Sequence, residues 1–96
     1  MIINFLSIAK QEFDEAVTYF NEQSEGLGYD FANEIKRTIN RIANYPEAWP
    51  KLSKRTRRAR CNRFPYGIIY HCNNNEILII AIMHLRREPS YWKNRI

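Results

Sequence analysis

Residues 57–84 read RRARCNRFPYGIIYHCNNNEILIIAIMH. Three strand-like runs lie in this stretch. Arg57–Arg63 is basic, with Ala59 and Cys61 alternating on one face. Tyr66–Cys72 alternates more apolar side chains, and Asn73–Asn75 supplies a turn because asparagine tolerates positive φ. Glu76–His84 contains ILIIAIM, apolar on both faces, as a strand covered on both sides must be.

Upstream, Ile2–Leu6 reads as a short strand, and Ser7 can cap a helix with its hydroxyl. Ala9, Phe13, Ala16 and Phe20 recur at helical spacing, which predicts a helix over 8–24. Gly26 and Gly28 break the pattern. A second helix is expected over 30–44, with Phe31, Ile35, Ile39 and Ile42 on one side and Pro46 beyond its end. The order is β-α-α-β-β-β in a single domain, residues 1–96. The fold class is α+β: a helical hairpin packed on one face of an antiparallel sheet with strands near 2–6, 57–63, 66–72 and 76–84. Phe13, Phe20, Phe31, Ile35, Ile39 and Ile79 are the expected core; Trp49 and Trp92 can each serve as a core anchor, a role that suits Trp49 better. The tail, Leu85–Ile96, is polar, basic and aromatic.

Charge is unevenly divided. Residues 1–50 carry four Lys/Arg and eight Asp/Glu, a net of −4; residues 51–96 carry eleven and two, a net of +9. The second half is expected to meet an anionic surface, whether nucleic acid or protein. Cys61 and Cys72 form no CxxC and no metal-type spacing, so they read as free thiols of a reducing cytosol, with no metal and no cofactor expected. The N-terminus lacks a signal-peptide pattern and the longest apolar run, Ile77–Met83, falls short of a membrane span, so a cytoplasmic protein is expected. A plain nucleic-acid-binding module is a further reading, although no helix-turn-helix, RRM or zinc pattern is present.

The chain resembles the RelE/ParE toxins of type II toxin–antitoxin systems. Residues 9–50 have that family's helical-hairpin layout, with Leu27-Gly28 before the second helix and Pro46 after it. Residues 63–95 carry Arg63-Phe64-Pro65-Tyr66, then Ile69-Tyr70, then Ala81 and His84-x-Arg86-Arg87-x-Pro89-x-Tyr91-Trp92-x-x-Arg95, a pattern similar to ParE-like members. The resemblance implies plasmid stabilisation and growth inhibition by a toxin that a cognate antitoxin neutralises in a hetero-oligomer, through helix-in-groove and strand-addition contacts. It also implies one of two targets. RelE-like members are metal-independent endonucleases that cleave mRNA on the ribosome; ParE-like members inhibit DNA gyrase and are not enzymes.

RNA cleavage needs a proton acceptor, cations for the crowded phosphate and a proton donor for the leaving oxygen. Aligned with RelE-like nucleases, Gly67 takes the place of an arginine, and Arg58 and Arg60 fall near lysine places. Arginine holds phosphate well but accepts protons poorly. The expectation is therefore a ParE-like gyrase inhibitor, with Arg58, Arg60, Arg63, His84, Arg86, Arg87, Tyr91, Trp92 and Arg95 meeting target or antitoxin. The alternative is a RelE-like nuclease using Arg60, His84 and Arg87, or an inactive toxin-like nucleic-acid-binding module. Blander roles also fit: arginines as a solvated sheet edge, His84 bonded to the backbone, and His71 simply packed.

Overall fold

Leu6 joins the first strand to the first helix: its N–H donates to Ile79 O, while its carbonyl accepts from Lys10 N–H. The computed structural model describes residues 1–96. It contains β1 (Ile2–Phe5), α1 (Ser7–Gln23), α2 (Leu27–Asn44), β2 (Arg57–Arg60), β3 (Tyr66–Cys72), β4 (Glu76–His84) and a closing 3-10 turn at Lys93–Arg95. Strand and helix thus abut, and Ser7 is the first helical residue rather than a cap; Leu6, which precedes it, makes no side-chain cap.

The sheet order is β1-β4-β3-β2. β2, β3 and β4 are antiparallel neighbours as expected, but β1 lies parallel to β4, with Ile2 opposite Glu76 and Phe5 opposite Ile79. A parallel pair needs a long crossover, and here the helical hairpin plus β2 and β3 provides it. The sheet is therefore mixed. β2 is shorter than expected because Cys61 N–H turns to Tyr66 O, closing a loop over 61–65.

The second helix starts three residues earlier than the glycines suggest. Gly26 takes the left-handed conformation at φ 84° and makes the turn. Gly28 lies inside the first helical turn, and its role is close approach: a Cβ there would sit 2.2 Å from Val17 O and 2.6 Å from the Asn21 side chain. Its N–H donates instead to Asn21 Oδ1 at 2.8 Å.

Between helices and sheet, Phe31, Ile35 and Ile42 of α2 meet Ala59, Ile68, Tyr70, Ile77, Ile79 and Ile82. Phe31, Ile35 and Ile79 are buried as expected; Phe13, Phe20, Ile39 and Trp49 are half-buried and pack against this core from its margin. A bulge sets the faces of β4. Ile69 pairs with Ala81 but Tyr70 with Ile79, so Ile80 is an extra residue and the alternation slips. Ile77, Ile79 and Ile82 face the helices; Ile80, Ala81 and Met83 face the other side, where Trp92 covers them.

Glu34 ties the 61–65 loop to α2. Its buried carboxylate accepts Asn62 N–H at 2.6 Å and approaches Arg37 at 3.3 Å. Burial pushes its pKa up, but the hydrogen bonds from Asn62, Arg37 and Arg63 outweigh that and hold it below the ordinary value. Glu34→Ala, which leaves the Asn62 amide unpaired, is expected to lose about 1–3 kcal/mol in denaturant unfolding. A depressed folded-state pKa means stability that is present above the unfolded value of about 4.3 and fades as pH falls through the folded one. The gap between wild type and Glu34→Gln should accordingly be full at neutral pH and close in acid.

Candidate functional site

β2 carries the basic edge. Arg57, opposite Tyr70, turns toward the helix side and donates to Trp49 O at 2.6 Å. Arg58 and Arg60 lie opposite Ile69 and Gly67, on the outer face. Gly67 has room for no side chain without movement: a Cβ would lie 3.1 and 3.2 Å from the aliphatic carbons of Arg58 and 3.3 Å from a Leu85 methyl. The bare glycine is the channel through which Arg58 crosses the sheet, its stem packed and its head free. Arg60 is exposed. Arg63 is also exposed, stands over the Phe64 ring and reaches Asp30 only at 3.5 Å, a pair worth little in water.

The tail is built differently. β1 ends opposite Ile79, so β4 runs on to His84 without a strand on that side. Glu12 of α1 accepts Ile82 N–H at 3.1 Å, and Arg95 donates to Ile80 O at 3.0 Å. The two side chains then bind each other in a two-pronged pair, 2.8 and 2.9 Å. Arg87 approaches the same carboxylate at 3.4 Å and lies 3.6 Å above the Tyr91 ring; Arg95 stands over that ring at 4.8 Å. Burial, reinforced by Glu12, raises the Tyr91 pKa, while the Glu12 hydrogen bond raises that of Arg95. Trp92 is 3% exposed, packed on Ile69, Ile80, Ala81 and Met83. The outer face of β4 is apolar and the tail covers it. Trp92 and Arg95 therefore offer no open surface in this conformation, contrary to the expectation from the tail's composition.

His84 pairs with Tyr66, their ring centroids 5.1 Å apart. Its Nδ1 accepts Arg86 N–H at 3.1 Å, a backbone bond of the bland kind. Register places His84 on the helix side, where it shares a cavity of about 200 Å³ with Glu12, Glu15, Tyr19, Tyr66 and Arg87. Arg60, paired with Gly67 one step along β3, lies on the opposite face. The structure brings His84 and Arg87 together and keeps Arg60 apart from both. His71 uses Nδ1 on Arg55 O at 2.7 Å. No group of His, Cys, Asp and Glu is arranged to hold a metal ion, and no helix is long and apolar enough to cross a membrane. Arg58 and Arg60 have no carboxylate partner, so the outer edge can receive an anionic or hydrogen-bonding surface; Arg86, exposed in the turn after β4, has none either.

Two acids were missed in sequence. Glu12 falls three residues after Ala9 and four before Ala16; Glu34 falls three after Phe31 and four before Thr38. Both lie on the apolar stripe of their helix, and an acid there is the signal of a buried structural acceptor.

The family model of the ParE toxin of type II toxin–antitoxin systems, parDE, matches residues 3–89. The chain belongs to the ParE toxin family. Among solved structures, this ParE-family chain is similar to one described as the chromosomal ParDE TA system from P. aeruginosa, with a TM-score of 0.76, 16% identity and coverage of 90% of this chain and 97% of that one. At that identity the likeness is one of fold, and it agrees with the α+β architecture expected from the sequence. Among curated proteins none matches the sequence.

The tail described above acts as part of the core. Trp92→Ala is expected to cost about 3–5 kcal/mol and to open the outer face, read as new binding of a hydrophobic dye with the α-helical signal retained. Unchanged stability and no dye binding would show that the tail does not cover the sheet in solution.

Proposed function

We propose that this chain is a growth-inhibiting toxin of the cytoplasm, neutralised by a cognate antitoxin, that acts on DNA gyrase as a binding inhibitor and cuts no RNA. The observation that carries the target is the separation of Arg60 from His84 and Arg87 by the sheet. A nuclease centre needs cation and proton-transfer groups within reach of one phosphate. Here Arg58 and Arg60 lie on the outer face, away from His84 and without a carboxylate partner, and Arg58 fills the space at Gly67. Fixed, partly stacked arginines without a base suit a protein interface. The antitoxin reading rests on family membership together with the net +9 of residues 51–96, which favours an acidic or amphipathic antitoxin segment over the β2 edge.

Purified protein should block supercoiling by gyrase and leave ribosome-bound mRNA intact. Arg60→Ala with Arg86→Ala should weaken the block tenfold or more, with folding stability within about 0.5 kcal/mol of wild type, as for exposed sites. Expression should arrest growth, and co-expression of the antitoxin should restore it. Codon-specific mRNA cuts that disappear in His84→Ala would overturn the gyrase reading in favour of a ribosome-dependent endonuclease.

A further inference from the structure

Between positions 51 and 60 stand six cations: Lys51, Lys54, Arg55, Arg57, Arg58 and Arg60. None of them has a carboxylate within ion-pair distance, whereas Lys10, Arg37, Arg63, Arg87 and Arg95 all do. Four of the six, Lys51, Lys54, Arg55 and Arg57, line one cavity of about 460 Å³ at the far end of the sheet from His84. Glu47 is its single acid, so three positive charges remain uncompensated there. The volume lies within the range of about 300–1,000 Å³ usual for small-ligand sites, but the lining is polar.

The loop that presents these charges is held in place. Ser53 and Thr56 hydroxyls meet at 2.6 Å, Leu52 N–H donates to Thr56 O, and Thr56 is buried. Lys51 bridges Arg57, Arg58 N–H donates to Pro50 O, and the His71 ring holds Arg55 O. Like charges held around a cavity repel one another, and Glu47 alone offsets them. A backbone held in this way brings the cations to one cavity before an anion arrives.

Two features favour a compact polyanion over an acidic peptide. The β2 edge beside the cavity is already occupied by Pro50 and Lys51, so a peptide cannot extend into it as an added strand. A carboxylate brings one charge, while adjacent phosphates bring several within the reach of two arginines, whose guanidinium forks match phosphate oxygens. We propose that this cavity, separate from the outer-edge arginines, binds the diphosphate group of a nucleotide, with the amides of Asn73 and Asn74 at its rim.

The test is calorimetric titration of the full chain at low salt with sodium pyrophosphate and with ADP. Both should bind with a Kd below about 1 mM and raise the melting temperature in proportion to concentration. Lys51→Gln with Lys54→Gln should weaken both at least tenfold. Arg60→Gln with Arg86→Gln removes the same charge outside the cavity and should change neither by more than twofold. Circular dichroism of each variant confirms that it is folded, and should the double lysine variant not fold, Arg55→Gln takes its place with the same expectation. Equal losses in the two double variants would reduce the effect to general charge and overturn the proposal. So would tighter binding of a decaglutamate peptide than of ADP, which would make the cavity a seat for an acidic protein segment.

Discussion

β4 extends five residues beyond the end of β1, and everything on the outer side of the sheet depends on how that unpaired edge is closed. In a buried strand, an open N–H or C=O is as costly as a lost hydrogen bond. Glu12 and Arg95 close it with side chains, one accepting from Ile82 and the other donating to Ile80. Each has its side chain about 10% exposed, so neither charge would be tolerable without the other. The pair fixes the chain end over the sheet, and the chain end carries Trp92 onto the apolar face that the bulge at Ile80 exposes.

That closure sorts the cations of the second half. Arg95 is drawn inward onto Glu12, and Arg87, still exposed, stacks on Tyr91 beside them. Arg58 and Arg60 stay on the outer face, Arg86 stays exposed in the turn after β4, and the cations of the 51–57 loop gather around a separate cavity. A run that reads in sequence as one basic region therefore divides into a structural latch, an outer edge and a polar pocket. The function proposed above uses the outer edge alone, where the arginines have no carboxylate partner.

The arrangement of elements was legible because it rests on periodicity: Ala9, Phe13, Ala16 and Phe20 on α1, Phe31, Ile35 and Ile42 on α2, and the double-faced ILIIAIM of β4. The orientation of β1 was not, because a four-residue strand pairs equally well either way and the choice is made by the crossover. Gly28 reads as a helix breaker, and only the distance to Val17 shows it to be a contact between helices. The candidate site was legible in composition and obscure in geometry. Residue identity places Arg60, His84 and Arg87 among cations and a base, but which face each takes depends on strand register. The inward turn of Trp92 and Arg95 depends on Glu12, more than seventy residues away in sequence.

A double-mutant cycle on Glu12→Gln and Arg95→Gln, measured by denaturant unfolding, tests this closure directly. A coupling energy of about 2–3 kcal/mol is expected, since removing Glu12 leaves the Arg95 charge buried without a carboxylate and removing Arg95 leaves Glu12 only the 3.4 Å contact with Arg87. Additive losses, with coupling under about 0.5 kcal/mol, would contradict it and show that the tail is held by Trp92 packing alone.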